Sequence, residues 1–458
     1  MNRLCSLTLV VLVGSQLVFG QASDAALKDV TEKDRLSRGT DGKLATLSAA
    51  EHAARGRVYL ENRHFPESRE HFQKILDNFS TDPAMSYAVF GMGRSLMWER
   101  EYAKAIPWFE RASREWPETK DGRESLAFMG ACNVRLGRNA EAARVYQRYT
   151  VMYPAGERID SAYLNTIDSL REEKRYDEAN EWVDKARQRF AGMPTEVNAL
   201  HARLRLEINR GNWAGAEAAA DAALAIGKFA GSMTSSDEIN YLKAFAVERA
   251  GRREQSISIL SSIPQTANSY FSGLAAERLA ALGSRVQRTA QVSPKLYVDF
   301  PIQYRLEVLE YARKKRIDPR FVMAIMKQES SFRAGAKSPS AARGLLQLVY
   351  DTAIKYSKRA GYGDLQPDDL YNPHINIAIG CEYIADLKGQ FSGLYEAIAA
   401  SYNGGEDNAA RWLSRSRPKE PAIFVSEVGF AETKAYVAKV MNNYRVYRDL
   451  YDESLVKR

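Results

Sequence analysis

Between about residues 50 and 285 apolar positions recur at helical spacing, and the pattern itself repeats. The large aromatics Phe79, Trp116, Tyr153 and Phe190 fall 37 residues apart. A second series, Phe65, Tyr102, Asn139, Tyr176 and Trp213, keeps the same step and opens similar phrases, such as Tyr-Ala-Lys-Ala and Tyr-Asp-Glu-Ala. Further along each phrase a large residue (Phe72, Phe109, Tyr146, Val183) completes one face at helical period. Pro117 and Pro154 follow two of the aromatics, where a helix should stop. Gly93 and Gly130 share an offset, as small residues where helices pack closely. One helix pair cannot bury its apolar face alone, whereas stacked neighbours can. The pattern therefore predicts a helical-repeat superhelix over 49–285, with a degenerate unit around Gly251-Arg252-Arg253, where the phase slips.

The flanks read differently. Residues 23–48 are polar without a sustained period, which predicts a flexible segment. Residues 284–298 are polar and aperiodic, which predicts a linker leading into a second helical domain over 286–458. At the start, Asn2-Arg3 precede an apolar run from Leu4 to Phe19, with small residues at Gly20 and Ala22. This resembles a secretory signal peptide over 1–22 and predicts export to the periplasm or cell envelope. No other stretch of about 18 apolar residues occurs, so the mature chain is expected to be soluble and peripheral to the envelope.

Composition adds little. The 458 residues are too many for one ordinary core, which supports two or more domains. Lys and Arg total 65 against 57 for Asp and Glu, a net +8. That mild excess suits an anionic polymer but equally a plain solvated surface, and implies no nucleic-acid partner. Of the cysteines, Cys132 and Cys381 lie far apart within apolar helical patterns and are expected as buried free thiols. There is no CxxC pair and no His/Cys cluster, so neither a metal nor another cofactor is implied.

The chemistry is concentrated beyond residue 299. Asp318-Pro319 is a helix start, an N-cap followed by proline in the first turn. The helix that follows has an apolar face of Phe321, Val322, Ile325 and Met326, and Glu329 continues that face at the helix end. A carboxyl there would be partly desolvated, which raises its pKa and suits a general acid. A lone Glu at a helix end is usually just a solvated charge. Its neighbours supply the rest: Met326-Lys-Gln-Glu-Ser-Ser-Phe332, Ala336-Lys-Ser338-Pro339, Ala342-Arg343-Gly344-Leu345-Leu346-Gln347-Leu348, Ala400-Ser401-Tyr402-Asn403-Gly404-Gly405 and Phe430-Ala-Glu432-Thr433-Lys-Ala-Tyr436-Val437.

These phrases, in this order, resemble the soluble lytic transglycosylase family of the goose-type-lysozyme-like superfamily over about 320–447, and the repeats resemble tetratricopeptide repeats. The implied architecture is all-α: a helical-repeat superhelix followed by a lysozyme-like α-helical catalytic domain. The resemblance implies that Glu329 is the catalytic acid/base. It places Ser338 at the substrate's acetamido group, Gln347 along the cleft, and Tyr402 and Asn403 near the carboxyl, with Glu432 and Tyr436 closing the cleft from the last helix. Tyr402 could instead be core packing, Asn403-Gly404 a helix cap, and Ser338-Pro339 a turn. The chain departs from the family pattern at Ala341, Leu346 and Val349-Tyr350, which puts subsite preference in doubt.

Most glycosidases use two carboxylates. No second one is evident near Glu329; Asp351 and Glu406 lie close to motif residues, but nothing pairs them with it. A single carboxyl suits substrate assistance, and the resemblance implies cleavage of the MurNAc–GlcNAc β-1,4 bond of peptidoglycan strands with formation of a 1,6-anhydro end. Two alternatives stay open: a lysozyme-like hydrolase of the same fold, and an envelope scaffold whose repeats bind protein partners.

Overall fold

The computed structural model describes residues 19–264, 266, 269–284 and 294–458. The expected signal segment lies, up to residue 18, outside the described residues. Among the described residues the fold is helices and loops, with isolated β-bridges and no longer strand. No described helix is long and apolar enough to cross a membrane.

The period of 37 residues corresponds to one helix pair. The pairs are Ala49–Glu61 with Phe65–Asn78, Ala84–Trp98 with Tyr102–Glu115, Lys120–Arg135 with Asn139–Met152, Ile159–Glu172 with Tyr176–Arg189, and Pro194–Arg210 with Trp213–Ile226. Ser236–Arg249 with Arg253–Ser262 is the degenerate sixth pair, and Tyr270–Ala281 follows it. The two anchor series have definite places. Phe65, Tyr102, Asn139, Tyr176 and Trp213 each open the second helix of a pair. Phe79, Trp116, Tyr153 and Phe190 each cap its C-terminal end, where the backbone N–H still donates to the carbonyl four residues back.

The glycines explain the tightness of each pair. A Cβ on Gly93 would stand 2.7 Å from the Phe109 ring, and one on Gly130 would stand 2.7 Å from the Tyr146 ring. In the first three pairs, with Gly56 against Phe72 as the first case, the first helix therefore receives the central ring of its partner against bare backbone. Cys132 and Cys381 are free and buried, and burial pushes both thiols up to about 12.

Two flanking segments differ from expectation. The polar stretch expected to be flexible is instead largely the helix Phe19–Ser37, followed by a turn that buries Leu44. A buried carboxylate ties it down. Asp34 accepts from Arg55 at 2.6 Å, from the Tyr59 hydroxyl at 2.7 Å and lies 2.9 Å from His71 Nε2. One long-range polar contact leaves no periodic trace in sequence. The expected linker is also partly helical, since Pro294–Asp299 forms a short helix.

The repeats grip the second domain along their length. Arg63 forks onto Asp351 near the first pair. At the centre, Arg171 donates twice to Glu427, at 2.8 and 2.7 Å, and Arg205 adds a third bond at 3.0 Å. Arg415 in turn enters the repeats toward Asp168 and Glu172. Farther along, Lys434 donates to Glu238 at 2.6 Å, with His201 Nε2 on the same oxygen at 2.9 Å, and Tyr270 donates to Glu396 at 3.0 Å. Ile423 of the second domain joins the apolar cluster of Val197, Leu200 and Leu204.

Burial alone would push the Glu427 carboxyl up, but Arg171 and Arg205 hold it below the usual range. The same competition at Glu238 ends at about 2, because Lys434 and His201 outweigh burial. Carboxylates held low stabilise the folded state above their unfolded pKa and cease to do so as pH falls through the folded value. For Glu238 that window runs from 4.5 down to about 2.

Removing one partner of a buried pair strands the other charges, at a cost of about 3–5 kcal/mol. Glu427→Ala should therefore lower unfolding stability by about that amount. Arg63→Ala breaks a partly exposed pair and should cost under about 1 kcal/mol. Urea or thermal unfolding of both variants checks this; equal effects would sink the distinction.

Candidate active site

The helix Pro319–Ser330 starts as expected, with Asp318 accepting from the Arg320 backbone N–H at 2.9 Å and Pro319 in the first turn. Its packing differs from expectation. Residues Phe321 through Met326 are all fully buried, so the helix runs through the core and has no single apolar face. A short helix enclosed on every side is a rigid mount for whatever stands at its end. There, Ser331 turns left-handed with φ 49°, and Ser330 donates to the Leu345 carbonyl at 2.8 Å. Glu329 is half-buried at this end.

Burial pushes the Glu329 carboxyl up to about 7. The Tyr436 hydroxyl donates to its Oε1 at 2.6 Å and draws the pKa down, while the charge of Glu432 draws it up. Tyr436 and Glu432 share the terminal helix Ala431–Leu450, which therefore acts on Glu329 in two opposed ways. Tyr436 is buried and Glu432 is exposed. Glu432 thus supplies a second carboxylate within electrostatic reach, which the sequence did not reveal. The other two acidic neighbours do not: Asp351 is bound to Arg63 of the repeats, and Glu406 acts on Tyr356 and Tyr383.

The loop from Ser331 to Val349 forms the adjoining wall. Its shape depends on left-handed backbone at Phe332, Ala341 and Gln347, which are not glycine, and at Gly344. Such strain persists only where the surroundings over-determine it. Here they do. Gly344 has φ 79°, and a Cβ on it would lie 2.1 Å from the Leu370 carbonyl, so no side chain fits. Asn376, fully buried, donates to the Arg343 and Leu370 carbonyls and accepts from the Leu346 N–H at 2.8 Å. The Tyr402 hydroxyl donates to the Leu346 carbonyl at 2.6 Å. Burial pushes the Tyr402 phenol well above its ordinary value, and the charge of Glu329 adds to this, so the two are close neighbours.

The remaining expected residues are mainly braces. Gln347 turns its amide inward and donates to the Ala336 and Gly344 carbonyls, at 2.9 and 2.8 Å. The Ser338 hydroxyl accepts from the Ala342 N–H at 3.1 Å and closes a turn. Asn403 is exposed and accepts from the Thr433 hydroxyl at 2.7 Å, which ties the helix Tyr395–Gly404 to the terminal helix. Tyr436 alone among the expected residues hydrogen-bonds Glu329; Tyr402 and Glu432 reach it electrostatically. Asn376 was missed. Its only local sign is a place one turn after Asn372-Pro373, itself a helix cap.

Among the described residues no group of three or more His, Cys, Asp or Glu side chains could hold a metal ion. The geometry offers one carboxyl poised to give and take a proton near neutrality, beside a braced wall with exposed polar edges.

Comparison with known proteins bears on both halves. Residues 308–425 match the transglycosylase SLT domain, and residues 53–118 and 133–194 match a tetratricopeptide repeat. The soluble lytic murein transglycosylase of Salmonella typhimurium is 34% identical over 151 residues, covering 32% of this chain and 23% of that protein. The chain thus spans about a quarter of the length of such relatives by sequence. In structure it resembles the 70-kDa soluble lytic transglycosylase of Escherichia coli, with a TM-score of 0.51 and 16% identity over 96% of this chain and 94% of that one. It also resembles an inactive glutamate-to-glutamine mutant of the lytic transglycosylase Slt of Pseudomonas aeruginosa, with a TM-score of 0.52 and 16% identity over 94% and 80%. The braced wall and the carboxyl therefore lie in the stretch that matches the transglycosylase SLT domain, behind repeats that match a tetratricopeptide repeat, in an overall fold similar to that of the soluble lytic transglycosylases.

Proposed function

We propose that this protein is an exported peptidoglycan lytic transglycosylase that cuts the β-1,4 bond between MurNAc and GlcNAc, with Glu329 as its acid and base. The observation that carries the reading is the Glu329 carboxyl, held at about 7 by burial and gripped by Tyr436. A carboxyl with that pKa is substantially protonated near neutrality, and its conjugate base is strong enough to take a proton back.

The steps balance with this one group. Glu329 gives its proton to the glycosidic oxygen, and the bond from that oxygen to C1 of MurNAc breaks. The MurNAc acetamido oxygen supports the positive charge at C1. The Glu329 carboxylate then removes the proton from the C6 hydroxyl, whose oxygen bonds to C1. A 1,6-anhydro end forms and no water is consumed. Ser338, Gln347, Tyr402 and Asn403 would shape the cleft wall around the sugar. Of these, Gln347 and Tyr402 act through the backbone they brace, from Ala336 to Leu346.

A second reading rests on Glu432. A carboxylate in electrostatic reach of a protonated one is the arrangement a hydrolase needs to activate water. The products separate the two readings. Digestion of purified peptidoglycan, with mass spectrometry of the fragments, should give anhydro ends, and Glu329→Gln should lower their release by at least about 100-fold. Reducing ends that disappear in Glu432→Gln would establish the hydrolase instead.

The pH dependence offers a further check. The acid form of Glu329 is present below about 7 and lost above it, so activity should fall as pH rises through that value. Tyr436→Phe removes a bond that lowers the pKa and should move this fall to higher pH. Glu432→Gln removes a charge that raises it and should move the fall to lower pH. Shifts of the same sign in pH–rate profiles of the two variants would contradict the assignment.

A further inference from the structure

The turn inside each helix pair repeats with the same period as the helices. Its middle residue is Arg63, Arg100, Gly137, Lys174 and Gly211 in the first five pairs, and every one is left-handed, with φ between 59° and 72°. Glycine takes that backbone without strain, whereas a residue with a Cβ does not. Pairs three and five carry glycine there, and pairs one, two and four carry a basic residue instead. Two of those three basic side chains reach the second domain. Arg63 donates to Asp351 from Nε at 3.0 Å and from Nη2 at 2.6 Å. Arg100 lies 3.6 Å from Asp407, which also accepts from the Tyr102 hydroxyl at 3.3 Å. Lys174 is exposed and makes no side-chain hydrogen bond or ion pair among the described residues.

The two carboxylates they reach are placed alike. Asp351 follows the wall phrase that ends at Leu348, and Asp407 follows the phrase Tyr402-Asn403-Gly404-Gly405. Each stands in the first turn of the helix that leads away from its phrase, Tyr350–Ser357 and Glu406–Arg415. The first repeat turn has a further hold on the wall. Asn62 commits its Nδ2 to the Val58 carbonyl at 2.8 Å, which leaves Oδ1 to accept from Lys337 Nζ at 3.3 Å. Lys337 is buried and sits between Ala336, whose carbonyl holds Gln347, and Ser338. That turn thus touches the wall both within its loop and just beyond it. Stability does not account for the arrangement. Both ion pairs are partly exposed and contribute little to folding, and each basic residue adds backbone strain that glycine would avoid.

We propose that Arg63 and Arg100 are positioning residues for the active site. Each holds the end of one site phrase, the wall at Asp351 and the Tyr402 phrase at Asp407, so that the first two repeat pairs fix both phrases relative to Glu329. Neither arginine touches the reacting groups; each acts through the helix start it holds. The Tyr402 hydroxyl bonds the Leu346 carbonyl and joins the two phrases, so slack at either end reaches both. The inference rests on the proposed function for what the site does, and on the contacts alone for what holds it.

Glycine separates positioning from folding. In Arg63→Gly and Arg100→Gly the turn keeps its left-handed backbone and loses only the side chain, so the midpoint of thermal unfolding should stay within about 2 °C of native. Release of fragments from purified peptidoglycan, read as kcat/KM, should nevertheless fall about tenfold in each. Arg63→Lys keeps a cation on the same strained backbone and should restore most of the activity. Asp351→Asn should match Arg63→Gly, and combining the two should add no further loss. Lys174→Gly, at the same turn position without a contact, should change neither activity nor unfolding. Hydrogen exchange read by mass spectrometry needs no turnover. Amides of 336–348, such as Gly344 on the Ala336 carbonyl, should exchange about tenfold faster in Arg63→Gly. Those of 401–409, such as Gly405 on the Ser401 carbonyl, should do so in Arg100→Gly. Unchanged exchange in a glycine variant, or unchanged kcat/KM in that variant of an active protein, overturns the proposal for that residue. Activity that falls only in step with the unfolding midpoint overturns it for both. A native protein that releases no fragments, while exchange responds as expected, sinks the proposed function and leaves the two holds standing.

Discussion

Glu427 lies between the guanidinium groups of Arg171 and Arg205, almost out of reach of solvent. Without it the two arginines from the repeats lose a buried counter-charge, and without them burial would push its carboxyl up. Neither domain can therefore present its half of the junction to a different partner without stranding charge. The same logic extends along the terminal helix. Lys434 is committed to Glu238 of the repeats, while Tyr436, two residues on, is committed to Glu329. One helix thus carries a repeat-facing cation and a site-facing phenol, and the repeats help set where that phenol points.

The carboxyl depends on this placement. Its helix is enclosed from Phe321 to Met326, which removes freedom at the mount. The wall opposite is held by Asn376, Tyr402 and Gln347, each spending its polar atoms on backbone. Side chains that fix a loop from outside leave its own exposed groups free for a ligand. Desolvation then sets the proton affinity of Glu329, and Tyr436 and Glu432 trim it from opposite sides.

What could be read in the sequence follows from the range of the interactions. The repeat period was legible because the first three pairs put a ring against a glycine at a fixed offset, as with Gly93 and Phe109, and the anchor aromatics return at the same step. Asp318-Pro319 was legible as a helix start because capping is local. The first helix was not, since Asp34 finds Tyr59 and His71 across a long chain separation. The junction was hidden for a related reason. Arg171, Glu238 and Lys434 read as solvated charges on helix faces until their partners, hundreds of residues away, are brought opposite them. Ser338 and Gln347 each hydrogen-bond backbone of the wall, contacts that their motifs alone do not announce.

The grip of the repeats at both ends has a consequence for how such a chain can evolve. Free-standing helical arrays lengthen or shorten by whole units, because each unit touches only its neighbours. Here the first pair is fastened through Arg63 to Asp351, and the sixth through Glu238 to Lys434. Duplicating or deleting one unit of 37 residues would displace one fastening relative to the other by the span of a helix pair. The number of units is thereby locked to the dimensions of the domain they embrace. Variation is left to the loops and to the residues facing the enclosed space.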